Sequence, residues 1–301
     1  MNDRIPRSVQ EYLDQLREAL RDADPALRQD ALYDAEEYLR AELNGKSDRP
    51  ESEVIAGIVN TYGAPQEVAE IYRQTEETVA RAMRTPTPRE RSSLIGRFFA
   101  IYADPRAYSS LFYMLLALAT GIFYFTWTTA GISISLGTSL LIIGLPLFLV
   151  FLGSIRLFSL LEGRIVETFL GVRMPRRPEY PARDTGMFDR IVNMLKDVRT
   201  WSTMLYMLLM LPLGIAYFTL AVSLVSASLS LIAAPAVYLF VDFHLHYFYW
   251  DGHAHDLTGI ESLLLCLAGF LLLTVSLHVF RGLGVLQGHI ARGLLVQPGR
   301  E

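Results

Sequence analysis

Apolar and polar positions follow two different rhythms along this chain. Near the start, Val9, Tyr12, Leu13, Leu16 and Leu20 recur every three or four residues, and Leu27, Ala31, Ala35, Tyr38, Leu39 and Leu43 repeat the pattern. Such stripes predict amphipathic helices with one face in a core. Ser8 followed by Glu11 marks the first helix start, because a serine and a glutamate three positions apart can satisfy two free amides reciprocally. Asp24-Pro25 marks the second, an N-cap followed by a proline whose missing N–H costs nothing at the first helical position. Asn44-Gly45 ends that helix, since glycine tolerates the left-handed closing conformation. A third helix over 52–62 and a fourth from Pro65 to about Arg84 are separated by Gly63-Ala64. A compact, acidic helical domain over residues 1–84 is expected.

The rhythm then changes to long apolar runs. Between Arg106 and Arg156 lie 49 residues without a Lys, Arg, Asp or Glu, between Arg199 and Asp242 lie 42, and between Glu261 and Arg281 lie 19. About 20 apolar residues at 1.5 Å rise cross a bilayer core, so these runs read as membrane spans. The chain is 51% hydrophobic and 19% charged over 301 residues, and the uneven placement of those charges excludes a soluble enzyme.

Charge also assigns sides. Residues 1–78 carry 9 Lys and Arg against 18 Asp and Glu, whereas 79–106 carry 6 Arg against Glu90 and Asp104. The stretch 156–199 has 9 basic and 6 acidic residues, and 200–280 has no Lys or Arg. Under the positive-inside rule the N-terminal domain, the 156–199 stretch and the C-terminus with Arg281, Arg292 and Arg300 are cytoplasmic. Residues 85–106, with Pro86 and Pro88, read as a semi-extended linker whose arginines suit an anionic leaflet. The first 20 residues carry charges at every turn and no apolar core, which predicts no cleavable signal peptide. Cys266 is the sole cysteine, so no intramolecular disulfide forms.

An internal repeat sharpens the count of crossings. Asp104, Arg106, Ser109, Tyr113-Met114-Leu115-Leu116, Leu118, Gly121-Ile122 and Tyr124-Phe125-Thr126 recur 93 residues later, from Asp197 to Thr219. Arg156, Gly163, Ile165 and Leu170 recur at an offset of 125 as Arg281, Gly288, Ile290 and Leu295, so the second unit carries an extra 32 residues. The expected fold class is all-α: the helical domain plus a duplicated transmembrane bundle of four crossings with amphipathic interfacial helices. The first membrane unit spans 107–178, with Phe158, Leu161, Ile165, Phe169 and Val172 on its amphipathic helix. A cytosolic loop covers 179–196, and the second unit covers 197–297 with an inserted His/aromatic segment at 222–258. Residues 222–241, interrupted by Pro235, are expected to be re-entrant or to lie at the outer surface.

Two resemblances follow. Tyr12-Leu13, Leu16, Leu20, Glu36-Glu37-Tyr38, Gly45 and Tyr62-Gly63-Ala64-Pro65-Gln66-Glu67-Val68-Ala69 make residues 8–78 resemble the HAAS signalling domain. That family implies protein–protein signalling, often beside transcription regulators, rather than catalysis. Tyr113, Leu115-Leu116, Gly144, Pro146, Gly171-Val172, Arg176, Trp201, Tyr206, Leu208-Leu209, Leu211-Pro212-Leu213-Gly214, Pro235 and Leu294-Leu295 make residues 95–297 resemble the putative sensor domain family. Those are multi-pass modules usually ahead of bacterial histidine kinases. This chain carries no kinase, so its output is expected to travel through the N-terminal domain or a separate chain.

Candidate chemistry is sparse. Asp242-Phe243-His244-Leu245-His246-Tyr247-Phe248-Tyr249-Trp250-Asp251-Gly252-His253-Ala254-His255-Asp256 pairs His244 with His246 and His253 with His255, the alternation that puts two imidazoles on one face of a strand. Three readings stay open: a divalent metal site completed by a nearby aspartate, a pH sensor, and an aromatic belt at the headgroup level. His278 and His289 read as packing residues, and Pro146 and Pro212 as structural kinks. Glu36-Glu37 point about 100° apart on a helix and read as a solvated face or a docking surface for a basic partner. Ala117 and Gly121 form a small-x3-small pair that permits close helix contact. The apolar runs carry no charge, which argues against an ion-coupled transporter. No nucleotide loop, nucleophile elbow or metalloprotease motif is found, so neither a catalytic residue nor an obligatory cofactor is expected.

The expected function is that of a signalling or regulatory protein of the bacterial inner membrane, relaying an envelope or bilayer cue to a cytosolic partner through the N-terminal domain. The expected partners are the lipid bilayer and a cytosolic regulator or kinase, without direct nucleic-acid binding, and the bundle could form a homo-oligomer. The alternative is a small-molecule or metal transporter or a membrane-remodelling component.

Overall fold

The computed structural model describes residues 5–46, 49–82, 94–138, 144–175, 197–240, 248–250, 253–255 and 258–296. They divide into two compact units, one of residues 1–87, 133–206 and 290–301, the other of residues 88–132 and 207–289.

The N-terminal helices in the first unit are α1 (Val9–Ala19), α2 (Pro25–Gly45), α3 (Glu51–Tyr62) and α4 (Pro65–Ala82). Their starts follow the sequence signals with one change of partner. The Ser8 hydroxyl accepts from the Glu11 amide at 3.2 Å, but the Glu11 carboxylate accepts from the amide of Arg7, one residue earlier than a reciprocal box requires. Asp24 caps α2 through the Ala26 amide at 2.9 Å. Helix α1 packs against α2 and α4, and both predicted stripes meet inside. Tyr12, Leu16, Leu20, Ala31, Ala35, Leu39 and Ile55 are fully buried, with Val68 and Ala69 closing the core from α4. The Tyr12 hydroxyl donates to the Gly63 carbonyl at 2.9 Å, so the α3–α4 turn is fixed to α1. Gly63 has φ of 110°, a conformation glycine adopts without strain.

Among the described residues, four further helices are long and apolar enough to cross a membrane: α6 (Pro105–Thr138), α7 (Gly144–Leu170), α8 (Val198–Phe240) and α9 (Gly259–Leu295). Short α5 (Leu94–Phe99) and a 3-10 turn (Ala100–Ala103) precede α6, so the part of the linker next to the membrane helices is helical rather than extended. Two other expectations change. Residues 222–240 are neither re-entrant nor separate, because α8 runs unbroken for 43 residues through Pro212 and Pro235. The amphipathic segments are not independent interfacial helices: Arg156 to Leu170 is the second half of α7, and Arg281 to Leu295 is the last part of α9. Each apolar stretch already has its backbone paired along the helix, and an amphipathic continuation extends that ladder without a break. The fold is all-α as expected, with one short ribbon between α8 and α9 where β1 (Phe248–Trp250) and β2 (His253–His255) pair antiparallel.

In the second unit, α6 and α8 approach at glycines. A Cβ on Gly121 would overlap the Met210 carbonyl, and a Cβ on Gly214 would overlap the Ala117 carbonyl. Gly269 of α9 lies against the Ile232 backbone of α8 in the same manner. Small residues of this kind are what let membrane helices gain packing contacts in the absence of a hydrophobic driving force. The outward residues of these helices remain apolar, with Ile122, Phe123, Trp127, Leu263, Leu264, Leu267 and Phe270 all exposed, as suits a lipid environment.

Candidate functional site

Helix α7 ends where Gly171 takes φ of 68°, and the chain then doubles back. Met174 becomes fully buried against Gly163, where a Cβ would stand only 3.3 Å from the Met174 side chain. This return brings Arg173 onto the N-terminal domain. Its guanidinium lies 3.3 Å from Asp30 of α2 and 3.1 Å from Glu76 of α4, with Glu167 of α7 at 3.9 Å. The Arg173 side chain is 17% exposed and that of Asp30 only 8%, so this junction is desolvated enough for charge to matter. Two further arginines reach the same domain: Arg292 of α9 meets Asp24 at 2.8 Å, and Arg199 of α8 donates to Gln29 at 3.1 Å. The acidic domain thus seats on arginines carried at the ends of apolar helices. Glu36, by contrast, is held by Arg40 one turn along α2 at 2.9 Å, a half-buried pair within one helix.

A second set of contacts links the two matched halves of the sequence. Arg156 pairs with Asp197 at 3.1 Å, and Arg281 pairs with Asp104 at 3.0 Å. Asp104 and Asp197 stand 93 residues apart and Arg156 and Arg281 stand 125 apart, so each half's aspartate meets the other half's arginine. Both aspartates also cap their own helix, accepting from the Arg106 amide at 3.0 Å and the Arg199 amide at 3.1 Å. Deeper in, the buried Tyr206 hydroxyl donates to Glu162 at 2.9 Å. At the corresponding positions Gln287 donates to the Tyr113 oxygen at 3.2 Å and accepts from Tyr217 at 3.0 Å. Glu162 therefore sits inside a membrane-length helix with 1% exposure, six residues past Arg156, where the first uncharged stretch ends. Tyr113, Tyr206, Arg156 and Arg281 were visible as repeated residues, and Glu162 and Gln287 stand just ahead of the matched Gly163 and Gly288.

Beside the Arg156–Asp197 pair, a half-open pocket is lined by Ile155, Arg156, Ser159, Arg199, Thr200 and Thr203. Thr200 is 2% exposed, and its hydroxyl has no hydrogen-bond partner among the described residues.

Of the four histidines proposed as metal ligands, His244 and His246 lie outside the described residues. His253 and His255 stand on β2, in register with Trp250 and Phe248. Among the described residues no three His, Cys, Asp or Glu groups are placed to hold a metal ion. His278 stacks on Phe98 at 5.4 Å and hydrogen-bonds its carbonyl at 3.1 Å, and His289 bonds the Val285 carbonyl at 2.7 Å, both local packing contacts.

Compared with known proteins, residues 113–295 match the family described as "Putative sensor". No curated protein and no solved structure matches the chain.

Proposed function

The chain belongs to the putative sensor family, and from that membership we propose that it is a signalling protein of the bacterial inner membrane, with both termini in the cytoplasm. It acts by binding rather than by catalysis. Its membrane helices register an envelope or bilayer cue, and its N-terminal domain, which resembles the HAAS signalling domain, passes that cue to a cytosolic regulator or kinase. In this reading the matched halves of the membrane region arose by duplication.

The observation that carries the reading is the seat of Arg173 between Asp30 and Glu76. It gives a membrane helix a direct electrostatic hold on the acidic domain, so a shift at the end of α7 changes how that domain is presented. Desolvated charges on both sides make the hold strong, yet it can be traded for a basic partner. The test is affinity capture from solubilised membranes, using the full chain and Arg173→Ala as baits. A regulator or kinase recovered in different amounts with the two baits is the expected result. Recovery of neither from either bait would sink the relay.

A further inference from the structure

We propose that the pocket beside Arg156 binds a single tetrahedral oxyanion, either the phosphate of an anionic lipid headgroup or free inorganic phosphate. Two guanidiniums line the pocket, Arg156 and Arg199, and among the described residues none that line it carries a carboxylate, the nearby Asp197 being paired with Arg156. That balance favours an anion and disfavours a cation. Asp197 already meets the first amides of α8, accepting from Arg199 N on its carboxylate and from Thr200 N on its carbonyl. The ligand is therefore held by side chains rather than by the helix N-terminus. Thr200 supplies the pointed observation. Its hydroxyl is buried in the pocket wall without a partner, and such groups are costly unless something completes them. A phosphate group offers acceptor lone pairs on every oxygen, matching a hydroxyl and guanidiniums that can all donate.

The other half of the sequence serves as an internal comparison. At the 93- and 125-residue offsets it keeps the salt bridge as Asp104–Arg281 and keeps Arg106 opposite Arg199. It places Ala107 where Thr200 stands and Gly284 where Ser159 stands. The ion pair is thus common to both halves and explains their packing, and Thr203 is matched by Ser110, while the hydroxyls of Thr200 and Ser159 occur in one half alone. A threonine in the first turn of a helix, where the matching position uses alanine, carries a function that packing does not ask for.

Arg199 also meets Gln29 of the N-terminal domain, but the test does not depend on the relay, because binding is measured directly on the full chain in neutral detergent or nanodiscs. Trp201 lies next to Thr200 and is exposed, so its fluorescence reports occupancy. Two probes separate the sources: titration with inorganic phosphate, and nanodiscs of phosphatidylcholine with or without phosphatidic acid. A saturable response to phosphate identifies the free ion, and a response confined to phosphatidic acid identifies the headgroup. In either case Thr200→Val, which keeps shape and loses the hydroxyl, weakens binding about tenfold, as loss of one hydrogen bond to a charged group does. Arg199→Gln weakens it further, and Arg106→Gln at the matching position leaves it unchanged. No saturable response to either probe, or equal affinity in Thr200→Val and the parent chain, overturns the assignment.

Discussion

Gly121 and Gly214 occupy mirrored places where α6 and α8 cross: each leaves just enough room for a backbone carbonyl of the other helix, Met210 for Gly121 and Ala117 for Gly214. Ala117 and Met210 are themselves 93 residues apart, so the contact is reciprocal in the sense of a two-fold interface written within one chain. Replacing either glycine with leucine forces the helices apart. The expected loss is about 1–3 kcal/mol, the usual cost of overpacking, read as a lower thermal midpoint in detergent. Gly137→Ala on α6, where a Cβ meets nothing within 4 Å, leaves the midpoint unchanged.

Arg173 gives a second prediction. Arg173→Gln takes the guanidinium away from Asp30, 6% exposed, and removing a cation from so desolvated a junction costs up to about 3 kcal/mol. The N-terminal helices then release from the arginines of the membrane helices and are cut faster by limited proteolysis. Glu18→Gln on the same domain removes only the exposed pair with Arg21 and leaves cleavage as it was.

The buried tyrosines respond differently in the two halves. Tyr206→Phe takes a hydrogen bond from a carboxylate that water cannot reach and lowers stability by about 1–3 kcal/mol. Glu162→Gln is near neutral, because the amide oxygen still accepts from Tyr206. Gln287→Glu is damaging, since the substitution removes the donor to Tyr113 and buries a charge. Thermal melts of the three variants order them, and equal effects of the two carboxyl–amide exchanges would contradict the assigned donors.

Much of the N-terminal domain was legible because its signals are local: caps at Ser8 and Asp24, stripes at helical spacing, and a break at Gly63. The number of membrane-length helices among the described residues was equally legible, since bilayer thickness sets a length and the internal repeat divides the charge-free runs into four. What could not be read was pairing between distant residues. Nothing local says that Arg173 reaches back to Asp30, or that Asp197 meets Arg156 rather than a residue of its own half. Helix continuity was misread for a related reason. A change from apolar to amphipathic composition marks a change of environment along α7 and α9, and not an end to backbone hydrogen bonding. Pro212 and Pro235 likewise leave α8 unbroken, although proline alone is a breaker signal.

Alkaline pH probes the N-terminal core. Burial is the main cause of the raised pKa of Tyr12, and burial followed by the Asp34 hydrogen bond raises that of Tyr72. A phenol whose folded pKa lies above its unfolded value near 10 binds its proton more tightly in the folded state. Its contribution is complete below pH 10 and is lost as pH rises further. The domain is therefore expected to unfold at strongly alkaline pH together with the appearance of tyrosinate absorbance, and Tyr12→Phe shifts that transition upward.

The crossed salt bridges mean that the membrane region behaves as a heterodimer whose subunits happen to share one chain. Asp104 belongs to one subunit and Arg281 to the other, Arg156 to the first and Asp197 to the second, and the tyrosines and glycines follow the same exchange. Severing the polypeptide between Arg176 and Lys196 cuts none of these contacts. Two fragments expressed together should find each other and copurify, whereas either alone would hold half of every lock with no key.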